Sequence, residues 1–363
     1  MSDTILLTGA TGFIGRYLLW TWLNRTNGAI ILLARSRRER SAAQRIGEIL
    51  LELAGQANVE RLRGRVEVFE GDVAETNLGM DRATREELST RVTSIIHCAA
   101  AARFDLPIEE ARRVNVGGVH NLLEFASRCS HFSRLDYVGT AYVAGERKGL
   151  VHETDLDVGQ AHRNTYERSK FEAEKLLSDA MSELPICVMR PSIVICDSQT
   201  GRGTHHNGFY RAMAAYLSGV APAFPGSPDS VLDIVPVDYV ADVVFALHHA
   251  AHSVGNRYHL VAGPQRMSTL GEVRDLAALH SGRPKFGIIP PEQFAVFAAN
   301  LPADAPEAQR KLANEITLLL PYLRCECWFD DSNTRRDTGL QAPLLRTYFD
   351  KLVKFILQQP ASR

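Results

Sequence analysis

Tyr166 and Lys170, in Thr165-Tyr-Glu-Arg-Ser-Lys170, are spaced i and i+4, which puts a phenol and an ammonium on one face of a helix. Such a pair suits a reaction that develops negative charge on an oxygen. The phenol gives that oxygen a proton, and a nearby ammonium draws the phenol down from about 10 toward neutrality. Thr140, in Tyr137-Val-Gly-Thr-Ala-Tyr-Val-Ala-Gly145, follows a strand-like run and offers a hydroxyl to the same oxyanion. Tyr-x-x-x-Lys pairs arise by chance in many sequences. Chain order gives this one weight: a glycine-rich turn, then the threonine at a strand end, then the Tyr/Lys helix.

The glycine-rich turn is Thr8-Gly9-Ala10-Thr11-Gly12-Phe13-Ile14-Gly15, directly after the first strand-like run. A pyrophosphate needs backbone N–H groups, clear of side chains, at the positive end of a helix. Gly9 permits the tight turn, Gly12 the approach of the phosphates, and Gly15 close packing of helix on strand. Thr8, Thr11, Phe13 and Ile14 complete the expected cradle. Arg35 ends the second strand, where an NAD site would carry Asp or Glu for the ribose 2′-hydroxyl. A guanidinium there matches the 2′-phosphate of NADP, so NADP is the expected cofactor, with Arg35 the main contact and Arg45 a second. Arg37, Arg38 and Arg40 read as a solvated helix face. Asp72, followed by Val73 just past the third strand, is placed either to accept from the adenine amino group or to hold a turn. The hydride of a nicotinamide is what the Thr/Tyr/Lys set would complement with a proton, and Lys170 can also hold the nicotinamide ribose.

Short β-branched runs at Ile5–Leu7, Ile30–Ala34, Val66–Glu70, Ser94–His97, Leu135–Val138 and Ile186–Arg190 alternate with helical patterns at Ile14–Leu23, Ala42–Leu53, Val116–Ser127 and Tyr166–Met181. That rhythm predicts βαβ units in a doubly wound parallel α/β sheet, with several strands apolar on both faces because helices cover both sides. After Arg190 the rhythm breaks. A helix at Phe209–Leu217, a Pro/Gly/Ser loop at Ala221–Ser230, a strand at Asp233–Val237, a helix at Tyr239–Ala250 and a strand at Tyr258–Ala262 predict an excursion and a return to the sheet. The rest, mostly helical, predicts a smaller lobe, with Leu344–Leu357 as an amphipathic helix. The expected division is a dinucleotide-binding domain over 1–196 and 231–262 and a substrate-binding lobe over 197–230 and 263–363.

With 45% apolar residues, a substantial core can form and a disordered chain is excluded. Lys+Arg at 41 against Asp+Glu at 42 leaves no field favouring nucleic acid. No run approaches the roughly 20 apolar residues of a membrane span, and no signal peptide is expected. Cys98, Cys129, Cys187 and Cys196 read as core thiols, and Cys325 and Cys327 lack a second pair to make a zinc site. A reducing, cytoplasmic setting is expected.

The chain resembles an extended short-chain dehydrogenase/reductase, and within that superfamily the fatty acyl-CoA reductases and the thioester-reductase domains of carboxylic acid reductases. The resemblance rests on TGATGFIGRYLL at 8–19, IIHCAAAARFD at 95–105, RVNVGGVHNLLEFA at 113–126, NTYERSKFEAEKLL at 164–177, VMRPSIVI at 188–195 and DIVPVDYVADVV at 233–244. A shorter match, Cys327-Trp-Phe-Asp-Asp-Ser-Asn-Thr334, is similar to the start of the fatty acyl reductases' C-terminal domain. The resemblance implies a Rossmann-type fold and Thr140, Tyr166 and Lys170 as the catalytic set, accompanied by Asn115. It also implies that His97, Ala99 and Ala100 line the adenosine side of the cofactor and that Pro191, Ser192 and Ile193 cover the nicotinamide. Gly139 departs from the pattern, since many relatives have Ser or Thr there.

The activity implied is reduction of an acyl-CoA or carrier-bound acyl thioester by NADPH to an aldehyde, with an alcohol as a further product. With no adenylation or carrier segment before the reductase, the acid is expected to arrive already activated. A sugar-nucleotide epimerase or hydroxysteroid-type dehydrogenase uses the same Thr, Tyr and Lys, so those residues leave that reading open. An NADP-sensing protein without turnover is the remaining reading, which an intact Tyr/Lys pair opposes. His205 and His206 are candidates to touch a substrate headgroup or to form a polar loop, and peripheral membrane contact by the C-terminal helix stays open.

Overall fold

Short, mostly apolar runs build the central sheet of the computed structural model, which describes residues 3–204, 208–302, 304–305, 307–324 and 326–359. Its strands are β1 (Ile5–Thr8), β2 (Ile30–Ala34), β3 (Val66–Glu70), β4 (Ser94–His97), β5 (Arg134–Val138), β6 (Ile186–Pro191) and β7 (Arg257–Leu260). All pair in parallel, in the spatial order β7-β6-β5-β4-β1-β2-β3. The chain reverses direction across the sheet between β1 and β4, and such a switch point opens a crevice at the strands' carboxyl ends.

Helices α1 (Phe13–Arg25), α2 (Ala42–Ala54), α3 (Gln56–Arg63), α4 (Arg82–Arg91), α5 (Ile108–Ala126) and α6 (Thr165–Ala180) fill the connections. Successive strand residues face opposite layers. Ile5, Leu7, Ile30, Leu32 and Met189 pack with Leu18 and Trp22 of α1, and with Val240 and Val244 of α8 (Val237–His248). Leu6, Ile31, Ile95, Leu135 and Val188 pack with Leu88, Val119, Leu122 and Leu177 on the other side. The inner strands β1, β2, β4, β5 and β6 are therefore buried on both faces, while the edge strand β3 is only half-buried.

Three expectations need correction. Helix α5 begins at Ile108 rather than Val116: Pro107 precedes it, and Glu109 and Glu110 suit the positive end of a helix, though this polar first half carries little apolar periodicity. Helix α4, mostly polar, was not expected at all, and within it only Leu88 is buried. The predicted strand Asp233–Val237 divides into Val231–Leu232 and Ile234–Val235, the second pairing with Ile193–Val194 outside the main sheet. Pro236 then starts α8. The sheet is re-entered instead by β7, beside β6.

A second core gathers Tyr210 and Met213 of α7 (Gly208–Ser218), Leu270 and Val273 of α9 (Leu270–Ser281), Phe294 of α10 (Pro291–Ala299) and Ile316 of α11 (Glu307–Leu323). After α12 (Ser332–Thr338), helix α13 (Phe349–Gln358) closes that core with Leu352, Val353 and Ile356, as an amphipathic helix packed inward. The C-terminal part is less purely helical than expected. Short strands at Ser268–Thr269, Gly287–Ile289 and Cys327–Phe329 pair with Val231–Leu232, Ala223–Pro225 and Gly149–Val151. Cys187, Cys196 and Cys327 are free and buried, while Cys98 and Cys129 are free and half-buried. Cys325, His205 and His206 lie outside the described residues.

Candidate active site

The glycine-rich turn sits at the carboxyl end of β1, against the end of β4. Gly9 has φ +78, and a Cβ there would lie 2.5 Å from the Ala99 nitrogen. A Cβ on Gly15 would lie 2.1 Å from the Gly9 carbonyl oxygen, so helix and turn touch backbone to backbone. Gly12 differs: the one close neighbour of a Cβ would be the Gly9 oxygen, at 3.2 Å, and the outer side of the turn is open. Gly12 is also the N-cap of α1, with no side chain capping the helix and no acid in its first turn. Free N–H groups at a helix start attract an anion. Thr8 faces inward, its hydroxyl 2.7 Å from His97 Nδ1 and accepting from the Ala99 amide at 3.4 Å. His97 is buried, and burial followed by the charge of Lys170 pushes its imidazole down to about 3, so it stays neutral. Thr11, Phe13 and Ile14 follow in the open part of the turn, each at least partly exposed, while Ala99 and Ala100 border the crevice from β4.

At the end of β2, Arg35 is 61% exposed and reaches Asp72 at 3.0 Å. Asp72 also accepts from the Ala74 amide at 3.0 Å, so its carboxylate both holds the turn and answers Arg35. Val73 is buried behind it, against Gly118 of α5. Arg45 donates to the Arg35 carbonyl at 2.5 Å. Burial, and then the nearby charges of Arg37, Arg35 and Arg40, lower the Arg45 guanidinium's pKa. Crowded cations make this corner a place where an added anion lowers the energy.

Thr140, Tyr166 and Lys170 meet beyond β5. Thr140 is buried directly after the strand; its hydroxyl accepts from the Tyr142 amide at 3.3 Å and neighbours the Tyr166 phenol. Lys170 is buried one turn along α6, donates to the Val138 carbonyl at 3.0 Å and lies 4.2 Å from the centre of the Tyr137 ring. The expected lowering of the phenol by the ammonium is not what this geometry produces. Burial pushes Tyr166 up to about 12, the neighbouring Thr140 hydroxyl opposing it by favouring ionisation, and burial brings Lys170 down to about 8. The lysine spends its hydrogen bond on the strand end, and the phenol keeps its proton at neutral pH. Asn115 of α5 touches neither hydroxyl. Its amide accepts from the Ala101 nitrogen at 2.8 Å and donates to the Ala101 carbonyl at 3.2 Å and to Ser169 at 2.9 Å, lashing the β4 loop to α6.

Pro191 ends β6. Ser192 donates to Asp233 at 2.5 Å, and Ile193 is half-buried between the second core and a cluster of rings. That cluster went unread in the sequence. Phe104 lies 5.6 Å from Tyr166 and stacks on Tyr322 at 5.2 Å, and Tyr322 meets Tyr142 edge-on at 4.9 Å. Tyr142 could have been suspected from its place two residues after Thr140. Tyr322 carries no local signal, because its partner Asn164 is 158 positions away in the chain.

A doubly wound parallel sheet, an uncapped helix start after a glycine turn, and a Thr/Tyr/Lys group beyond β5 define a Rossmann-fold extended short-chain dehydrogenase/reductase. The chain belongs to the male sterility protein family, whose model matches residues 7–244. It is 32% identical over 273 residues to the carboxylic acid reductase of Mycobacterium tuberculosis, covering 67% of this chain and 23% of that one. With fatty acyl-CoA reductase 1 of Arabidopsis thaliana it shares 25% identity over 353 residues, covering 79% and 72%. The crystal structure of the terminal R domain from the myxalamid PKS-NRPS biosynthetic pathway superposes with a TM-score of 0.82 at 25% identity, covering 98% of this chain and 90% of that chain. The chain spans 23% of the length of the mycobacterial relative and 50% of a Drosophila melanogaster relative. It is thus related to acyl reductases with an NAD(P)-binding domain. Among the described residues no helix is long and apolar enough to cross a membrane.

Proposed function

We propose that this protein reduces an acyl thioester, bound to coenzyme A or to a carrier, with NADPH, giving the aldehyde and, in a second round, the alcohol. The observation that carries this reading is the meeting of the Thr140 and Tyr166 hydroxyls at the carboxyl edge of the sheet, beside a wall of aromatic rings. Kinship with acyl reductases supports the thioester as substrate. Residues 1–196 and 231–262 are taken as the dinucleotide-binding part, and 197–230 and 263–363 as the substrate-binding lobe.

The residues present fit the cofactor. The open side of Gly12 and the uncapped start of α1 suit a pyrophosphate, and the cations at Arg35 and Arg45 suit a 2′-phosphate. When bound, NADPH supplies the hydride. Tyr166 and Thr140 donate hydrogen bonds to the thioester oxygen as it gains charge, and the protonated phenol can pass its proton on. Collapse of the tetrahedral adduct restores a C=O bond and breaks the C–S bond, the thiolate taking a proton as it leaves. Lys170, fixed on the Val138 carbonyl, holds positive charge near the ribose. Asn115 keeps the β4 loop and α6 in register.

Purified protein with NADPH and a panel of acyl-CoAs and UDP-sugars tests this, with cofactor absorbance and mass spectrometry of the products as readouts. Aldehyde, alcohol and free CoA are expected. Conversion of the UDP-sugars instead would hand the site to the epimerase class. Tyr166→Phe should cut turnover by about 100-fold or more while NADPH still binds, and retained turnover would remove the phenol from the mechanism.

A further inference from the structure

Tyr322 reaches the catalytic helix from the far end of the chain. Its hydroxyl accepts from Asn164 Nδ2 at 2.8 Å, and burial, helped by the charge of the nearby Glu167 carboxylate, keeps the phenol protonated. Both residues belong to the start of α6, and Tyr166 stands between them. Asn164 is the N-cap, accepting from the Glu167 amide at 2.9 Å. Glu167 is fully buried and accepts from the Arg163 amide at 2.9 Å. The ring of Tyr322 works on the other side of the same residue: it stacks on Phe104, which lies against the Tyr166 ring, while the Arg163 guanidinium sits 5.7 Å above its face. One side chain of α11 thus touches both the backbone turn that carries the phenol and the ring that packs on it.

Resting on the reductase reading above, we propose that Tyr322 is a positioning residue for the reaction: docked on the first turn of α6, it sets the orientation of Tyr166, so the phenol is aligned only when α11 is in place. The energetics favour this role. The first turn of a helix has N–H groups without partners inside the helix, so its geometry follows whatever caps it. Asn164 has one side-chain oxygen spent on the cap and uses its NH2 group on Tyr322. Without the phenol hydroxyl, the half-buried Asn164 amide loses a partner, and the turn can relax toward other hydrogen bonds.

Two substitutions separate this role from plain packing. Tyr322→Phe keeps the ring and removes the hydroxyl. Asn164→Ser keeps a good N-cap but is too short to reach the ring hydroxyl. Each should lower kcat for an acyl-CoA about fivefold to tenfold, as loss of one hydrogen bond to a precisely set group would, with KM within about twofold. The double variant should be no worse than the poorer single, because both remove one interaction. Full kcat in either single, or losses that multiply in the double, would overturn the proposal. A second measurement needs no substrate. In NADPH-bound protein, amides of Tyr166, Glu167 and Arg168 should exchange with solvent faster in Tyr322→Phe than in the parent, and unchanged protection would refute the tie. A parent enzyme inert to every acyl-CoA would count against the thioester reading, and the exchange experiment would then decide the role of Tyr322 alone.

Discussion

Lys170 is a buried amine with no ion-pair partner among the described residues, Glu174 acting on it only from farther off, a position that taxes the charged form. Its folded value, about 8, lies below the ordinary 10.5, so the unfolded chain binds more protons between those limits and stability rises with pH across that window. Lys170→Met should flatten that rise, which urea midpoints measured at the two ends of the window would read. Absence of any rise in the parent protein would mean that the ammonium is solvated. Arg35 makes a prediction of another kind. It is exposed, and Asp72 is its only ion-pair partner among the described residues. Arg35→Ser should raise the KM for NADPH about 10- to 100-fold, the worth of a charge-assisted hydrogen-bonded pair, and leave the KM for NADH nearly unchanged. An equal rise for both cofactors would place the 2′-phosphate elsewhere.

Among elements, the turn between β1 and α1 is the most constrained. Its glycines are not equivalent, and their neighbours rank them. Gly9→Ala must put a Cβ 2.5 Å from a backbone nitrogen at φ +78, and Gly15→Ala must put one 2.1 Å from a carbonyl oxygen. Both should destabilise the fold by more than about 2 kcal/mol. Gly12→Ala meets only one atom, at 3.2 Å, so it should fold with a thermal midpoint near the parent's and fail mainly in binding NADPH. A thermal scan beside a fluorescence titration of NADPH distinguishes the two behaviours. Equal loss of midpoint in all three variants would mean that Gly12 is structural as well. Helix α6 is constrained differently. Lys170 and Glu174 continue from Tyr166 at intervals of four along one buried face, and Glu174 meets Arg190 of β6 with both side chains wholly enclosed.

The segment after Cys327–Phe329 is joined to the sheet by polar groups that no local pattern announces. Glu153, 1% exposed, accepts from the amides of His259 at 2.9 Å and Asn333 at 2.6 Å and from the Thr334 hydroxyl at 2.9 Å. It thereby fixes the segment after Cys327–Phe329 onto the edge strand β7. His259 completes the join. Its Nδ1 donates to the Asp330 carbonyl at 2.8 Å and its Nε2 faces Arg190 at 3.2 Å, consistent with an imidazole that burial keeps neutral. Glu153→Ala leaves several buried donors without an acceptor and should cost about 3 kcal/mol or more in denaturant unfolding, with Glu153→Gln milder. A loss below about 1 kcal/mol would mean that the C-terminal segment holds its place by apolar packing alone.

The residues themselves determined the sheet, the glycine turn and the Thr140/Tyr166/Lys170 group. Strands buried on both faces are mostly apolar, and i, i+4 spacing puts two side chains on one helical face whatever surrounds them. The start of α5 was hidden because its polar first half carries no hydrophobic period, and α4 because so little of it is buried. Only the tertiary structure decided where charge and hydrogen bonds went. Lys170 bonds the Val138 carbonyl instead of tuning the phenol, Asp72 answers Arg35, and Tyr322 closes on a helix 158 positions earlier at its Asn164 cap. Those outcomes depend on burial and on partners brought together by folding, and neither is a property of any short stretch of chain.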